Sequence, residues 1–177
     1  AALLGVDGAA IEVEVRISSQ LPRTDIVGLA DAAVRESAAR VRAAIASGGL
    51  VFPDRRVTVN LAPAHLRKSD PSLDLPIAVA VLGASGQLPA EALGGVGLVG
   101  ELALDGRLRP VRGGLALCLA LRDAGCGQVV VPMGNAAESA FAPGVETFPA
   151  EDLLAVVRHL RGESCLARAA PPAQGST

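Results

Sequence analysis

The chain has a single lysine, Lys68, and a serine, Ser72, four residues further on. A desolvated lysine amine can take the proton of a serine hydroxyl, so these two residue types are the ones a serine–lysine hydrolase needs. Pro71 breaks the segment between them, and the arginines nearby offer no substitute base because guanidinium stays protonated. His65 and His159 lie far apart without a Cys, Asp or Glu at ligand spacing, so no metal site is expected. His65 reads as a loop residue and His159 as part of the polar face of the last helix. No stretch has the GxxxxGKS or GxxxxGKT spacing that cradles nucleotide phosphates, so no cofactor is expected in this chain.

The basic residues suggest a different chemistry. Arg55 and Arg56 precede a strand and Arg67 and Lys68 follow it, while Arg35, Arg40 and Arg42 come from a helix upstream. Such a set contacts phosphates without reading sequence. Arg67, Lys68, Arg55 and Arg56 are therefore the DNA-binding candidates, the first two favoured by their loop position. Against this, Asp31 with Arg35 and Glu36 with Arg40 have the spacing of solvated helix pairs. Net charge is −2 and no aromatics interleave with the basic residues, which argues against a large electrostatic footprint or a base-stacking platform.

The elements that must position these groups alternate strand and helix, which predicts an α/β (α+β) layered fold. In VTVNLAP (57–63), Val57, Val59 and Leu61 alternate with Thr58 and Asn60, and Pro63 stops the strand. DLPIAVAVLGAS (74–85) is apolar on nearly every side, a buried helix with Asp74 predicted as its N-cap and Pro76 in its first turn. Residues 11–17 and 25–29 read as strands. Asp31 caps a helix whose Val34, Ala38, Val41 and Ile45 share one face, ended by Gly48 and Gly49. Residues 83–95 read as a connection, and residues 100–110 as a hairpin with a two-residue Asp105-Gly106 turn. Residues 113–125 form a helix, 128–132 a buried strand and 151–161 an amphipathic last helix. From Gly162 onward Ala, Pro, Gly and Ser dominate, so residues 163–177 read as a linker after a domain over 1–162.

With 177 residues the chain can enclose one sizeable core. Half of it is hydrophobic, with no Trp or Tyr and three Phe, so packing is aliphatic. No apolar run has membrane-spanning length and the start lacks a signal-peptide pattern, which predicts a cytoplasmic protein without a membrane partner. Cys118, Cys126 and Cys165 form an odd set without CxxC spacing and read as reduced thiols, Cys118 within a helix core.

Four segments, IVGLADAAVRESAARVRAAI (26–45), RRVTVNLAPA (55–64), VTVNLAPAHLRKSDPSLDLPIA (57–78) and GELALDGRLRPVRGGL (100–115), resemble the N-terminal domain of the ComM/YifB family of magnesium-chelatase-like AAA+ ATPases. Two positions depart from the family pattern: Ala30, where it usually has proline, and Asp70, where it usually has glycine. The resemblance implies a Lon-protease-like, ribosomal-protein-like two-layer fold. In Lon a serine begins a buried helix and a lysine follows Gly-Gly-Leu. Matching the Pro-Ser dipeptide selects Ser72 for the serine, whereas matching the apolar helix selects Asp74, the preferred register because a helix carries more packing constraints. The lysine position falls on Ala116, after Gly113-Gly114-Leu115. The expectation is thus no catalytic residue, with Asp74 a structural helix N-cap at the former serine position.

For function, the resemblance implies a non-catalytic N-terminal module of a hexameric, ATP-dependent DNA helicase promoting branch migration in natural transformation. The module would serve subunit assembly and DNA contact. ATP and Mg2+ belong to an ATPase domain expected beyond the linker, and the partners implied are copies of the chain itself and single-stranded or branched DNA. A Lon-type Ser/Lys peptidase and a magnesium-chelatase subunit are the alternatives. The latter is expected to resemble this protein only in the ATPase part.

Overall fold

A computed structural model describes residues 2–6 and 8–172. The strands are β1 (Ala2–Val6), β2 (Ala10–Ser18), β3 (Arg23–Val27), β4 (Arg56–Ala62), β5 (Val96–Leu98), β6 (Glu101–Leu102), β7 (Leu108–Arg109), β8 (Gln128–Pro132) and β9 (Glu146–Ala150). The helices are α1 (Ala32–Arg35), α2 (Ser37–Ser47), α3 (Asp74–Ala84), α4 (Gly114–Asp123), α5 (Ala136–Ser139) and α6 (Leu153–Leu160). The expected α/β class is found. Seven strands form one sheet in the order β3-β4-β2-β1-β5-β8-β9, and β6 with β7 forms a separate hairpin. β2 runs antiparallel to both β1 and β4, while the other pairs in the sheet are parallel.

Side-chain alternation decides which face each strand residue covers. On β8, Val130 joins a core with α2, α3 and α6, whereas Val129 and Val131 join a second core with Leu117, Cys118 and Leu121 of α4. α4 thus adds a layer on the second face to the two that were expected. α3 is the centre of the first core: Asp74 through Leu82 are all buried, as a helix apolar on every side must be. On α2, Val41, Ala44 and Ile45 face α3 and the sheet, joined by Val34 of α1.

Three strands escaped sequence reasoning for physical reasons. β1 and β5 are short apolar runs of five and three residues, too brief for periodicity to separate them from loop or helix. β9 carries Pro149, which removes a ladder donor, and is found where that is tolerated, at the sheet edge. The hairpin is present, but its loop has three residues rather than two. Ala103 N–H donates to Arg107 O at 2.9 Å and Gly106, at φ +92, N–H donates to Ala103 O at 3.0 Å. A turn followed by one left-handed residue is the usual three-residue solution.

The expected linker starts as packed chain. Leu166 N–H donates to Nδ1 of His159 at 2.9 Å, Ala169 N–H to Thr147 O at 2.8 Å, and Arg168 meets Glu146 at 3.5 Å. This strap covers the open side of β9; residues 173–177 lie outside the described residues. His159 is accordingly half-buried, its ring centroid 5.1 Å from that of Phe148, rather than on a polar face. Among the described residues no helix is long and apolar enough to cross a membrane.

Candidate functional site

The head of α3 gathers most of the residues that could do chemistry. Pro71–Leu73 form a single 3-10 turn that runs into α3. Its cap is Asp70, whose carboxylate accepts from Ser72 N–H at 2.8 Å. The departure at position 70 therefore supplies the N-cap, and the assignment of that role to Asp74 is corrected.

Asp74 is instead fully buried and accepts from four donors on two elements, α2 and β6: Ser37 Oγ at 2.5 Å, Arg40 Nε at 2.7 Å, Arg40 Nη2 at 3.1 Å and Leu102 N–H at 3.0 Å. α3 is already inside its first turn at this residue, so the side chain leaves the helix end and points to α2 and the hairpin. The hydrogen bonds Arg40 donates to Asp74 raise its pKa, with burial opposing and the charges of Asp74, Glu101 and Glu36 adding smaller attractions. Sequence reasoning missed Ser37 and missed the bond of Arg40 to Asp74, because Arg40 has the spacing of a Glu36 pair. That pair exists only at 3.8 Å on an exposed acid, against 2.7 Å to a buried one. The available signal was an acid inside an otherwise unbroken apolar helix, which demands a cationic partner.

Ser72 and Lys68 are both buried and both committed elsewhere. Ser72 Oγ donates to Val6 O at 2.7 Å. Lys68 is fully buried, and its Nζ donates to Gly28 O at 2.6 Å and to Pro63 O. An exposed loop lysine was expected as a DNA contact; burial corrects this, since a phosphate cannot reach the ammonium. Ala116, where the dyad lysine was expected to fall, is exposed on α4 and supplies no amine. A cleft of about 440 Å³ does open in front of the turn, lined by Ser69, Asp70, Pro71, Glu101, Pro110, Val111 and Arg112. Its lining includes none of Ser72, Lys68 or Asp74.

The other DNA candidates do not form one patch with Arg67. Arg55 and Arg56 sit at the start of β4, with Arg56 donating to Gln20 Oε1 at 2.7 Å and meeting Asp25 at 3.5 Å. Arg67 lies beyond the other end of that strand, about 20 Å away by strand rise. It is exposed and shares a groove with Arg35. His65 is exposed in the loop as expected, and no cluster of three metal-ligating side chains occurs among the described residues. Cys118 and Cys126 are buried and Cys165 exposed.

These features define an α/β domain whose central helix begins on a buried carboxylate–guanidinium pair. A family profile described as subunit ChlI of Mg-chelatase matches residues 13–135. The chain is 44% identical over 167 residues to the YifB protein of Salmonella typhimurium and 42% over 170 residues to that of Escherichia coli, covering 94% and 96% of this chain and 33% of each relative. It is 38% identical over 165 residues to competence protein ComM of Haemophilus influenzae, covering 93% of this chain and 32% of that protein. The chain belongs to the magnesium-chelatase-like ATPase family, in its ComM/YifB branch. It spans about a third of the length of the curated relatives it matches. The expectation that likeness to magnesium chelatase would reside only in an ATPase part is overturned, because the matched residues lie in this domain.

Proposed function

We propose that this domain is a non-catalytic module of a DNA motor: a Lon-type fold without its chemistry, joined in the full-length protein to an ATPase that binds ATP and Mg2+. The full-length protein works in the cytoplasm as a homo-hexamer, remodelling single-stranded or branched DNA during recombination of incoming strands. The printed name of the Haemophilus relative, a competence protein, supports a role in handling DNA that has been taken up. The observation that carries the non-catalytic reading is the commitment of Ser72 Oγ and Lys68 Nζ to main-chain carbonyls, with Ala116 at the remaining dyad position. A nucleophile needs a base within hydrogen-bond reach, and neither group faces the open cleft. In this role Asp74 acts as a tie. It joins α2, α3 and the β6–β7 hairpin so that the surfaces they bear keep a fixed geometry.

The test exposes the 177-residue chain to unfolded protein substrates and to a serine-directed acylating reagent. No cleavage and no label on Ser72 are expected. Labelling of Ser72 that disappears in Ser72→Ala, together with cleavage of the substrate, would restore the peptidase reading. A second reading, a magnesium-chelatase subunit, is favoured by the description of the matching family. It requires the full-length protein to support magnesium insertion into a porphyrin.

A further inference from the structure

The loop from Gly28 to Ala30 is held in a shape that Leu29 disfavours. Leu29 has φ +58, where non-glycine residues are uncommon, and Gly28 has φ +107. A Cβ at Gly28 would lie 2.1 Å from Leu61 O, so the loop presses directly on β4. Three of its anchors come from one residue. Lys68 N–H donates to Leu29 O at 2.9 Å, Lys68 O accepts from Asp31 N–H at 3.0 Å, and Lys68 Nζ reaches Gly28 O at 2.6 Å. The only lysine of the chain is thus buried to clamp a surface loop. What the clamp achieves is to turn an aliphatic side chain outward: Leu29 is 56% exposed.

Leu29 lines a groove of about 510 Å³ with Ala30, Asp31, Ala32, Arg35 and Arg67. Both arginines are exposed, and neither has an ion-pair partner among the described residues. Asp31 is the one acid in the lining, and its carboxylate accepts from Val34 N–H at 3.2 Å as the cap of α1. The groove therefore sets two guanidiniums against one carboxylate, beside an apolar side chain held out by a strained backbone.

We propose that this groove binds the sugar–phosphate backbone of a nucleic acid, with Arg35 and Arg67 on phosphates and Leu29 against the sugar or base between them. The inference rests on the reading of the chain as part of a DNA motor, and it replaces the buried Lys68 by Arg35 as the partner of Arg67. A nucleic acid strand carries a phosphate at every nucleotide, so it satisfies two guanidiniums in any register, whereas a peptide must place two acids at one spacing. With both arginines on phosphates and the Asp31 carboxylate held as the cap of α1, the lining leaves no side chain to read base edges, so contact is independent of sequence.

The test measures binding of the full-length protein to a labelled single strand and a labelled four-way junction across a salt series. Arg35→Ala with Arg67→Ala should weaken binding at least about tenfold at low salt and reduce the slope of log affinity against log salt by about 1.4 on the single strand and about 1.8 on the junction for two lost phosphate contacts. Leu29→Asn, whose side chain tolerates the positive φ, should weaken binding by a few fold and leave the slope unchanged. A double variant with wild-type affinity and slope removes the groove as a contact, while DNA binding by the wild-type protein leaves the functional reading standing. A double variant that binds DNA normally but no longer self-assembles reassigns the groove to a protein partner. A wild-type protein that binds neither DNA sinks both.

Discussion

Replacing Asp74 by Asn discriminates between two roles that look alike in sequence. As a helix N-cap, Asn is as good as Asp, so the exchange would cost almost nothing. In the structure both carboxylate oxygens are used as acceptors: Oδ1 by Ser37 Oγ and Arg40 Nη2, and Oδ2 by Arg40 Nε and Leu102 N–H. An amide keeps one oxygen and turns an N–H2 donor toward two other donors. With the N–H2 at the Oδ2 position the main-chain N–H of Leu102, a fully buried residue, has no acceptor. With it at Oδ1, where the Ser37 hydroxyl can turn to accept, the Arg40 Nη2 proton aimed there has none. One donor is left unpaired in either orientation, at about 1–3 kcal/mol, and Arg40 loses its counter-charge. Arg40, with its side chain 19% exposed, regains part of its loss from water. Asp74→Asn should therefore destabilise by about 2–4 kcal/mol, and Asp74→Ala, which breaks a buried ion pair outright, by about 3–5 kcal/mol. Since whole domains are stable by about 5–15 kcal/mol, the alanine variant approaches the limit of folding. Urea unfolding followed by circular dichroism suits a chain without Trp or Tyr. An Asn variant within about 0.5 kcal/mol of wild type would refute the network and return Asp74 to a capping role.

Burial lowers the pKa of the His159 imidazole, so the folded state binds fewer protons than the unfolded chain as pH falls past about 6.5. Its contribution to stability is fully present above that value and is lost as pH falls through the folded pKa. His159→Asn, whose Oδ1 accepts from Leu166 N–H at any pH, should flatten that part of a stability-against-pH curve. Burial also pushes the Cys118 thiol up to about 11, with Glu138 adding to the shift, and raises that of Cys126. Ellman's reagent should thus titrate Cys165 rapidly in the native protein and all three thiols only in denaturant. Gly28→Ala sets a methyl group against Leu61 O and should cost more than about 1 kcal/mol in urea unfolding; a neutral result would mean that the loop is not clamped.

Sequence periodicity revealed the elements whose burial it directly encodes. β4, α3 and α6 lie close to where alternation, uniform apolarity and amphipathicity put them. What it could not encode was partnership across the sheet. Arg40 has a local acid four residues earlier and a distant one 34 residues later, and only the packing of α2 on α3 decides for Asp74. Lys68 showed the opposite failure. A charged residue in a loop between Arg67 and Ser69 reads as solvated, yet the carbonyls that hold it, at Gly28 and Pro63, face inward only once β3 lies beside β4. The groove of Arg35 and Arg67 was invisible for the same reason, since its walls come from segments that meet through the Ala30–Lys68 bridge.

The central claim, a module without chemistry inside a DNA motor, is tested most directly on the full-length protein by measuring ATP hydrolysis with and without branched DNA, alongside cleavage of an unfolded protein in the same preparation. The expected result is ATP hydrolysis stimulated by branched DNA, with no peptide product in the wild type or in Ser72→Ala. Cleavage that requires ATP and is lost in Ser72→Ala, with hydrolysis indifferent to DNA, would contradict it.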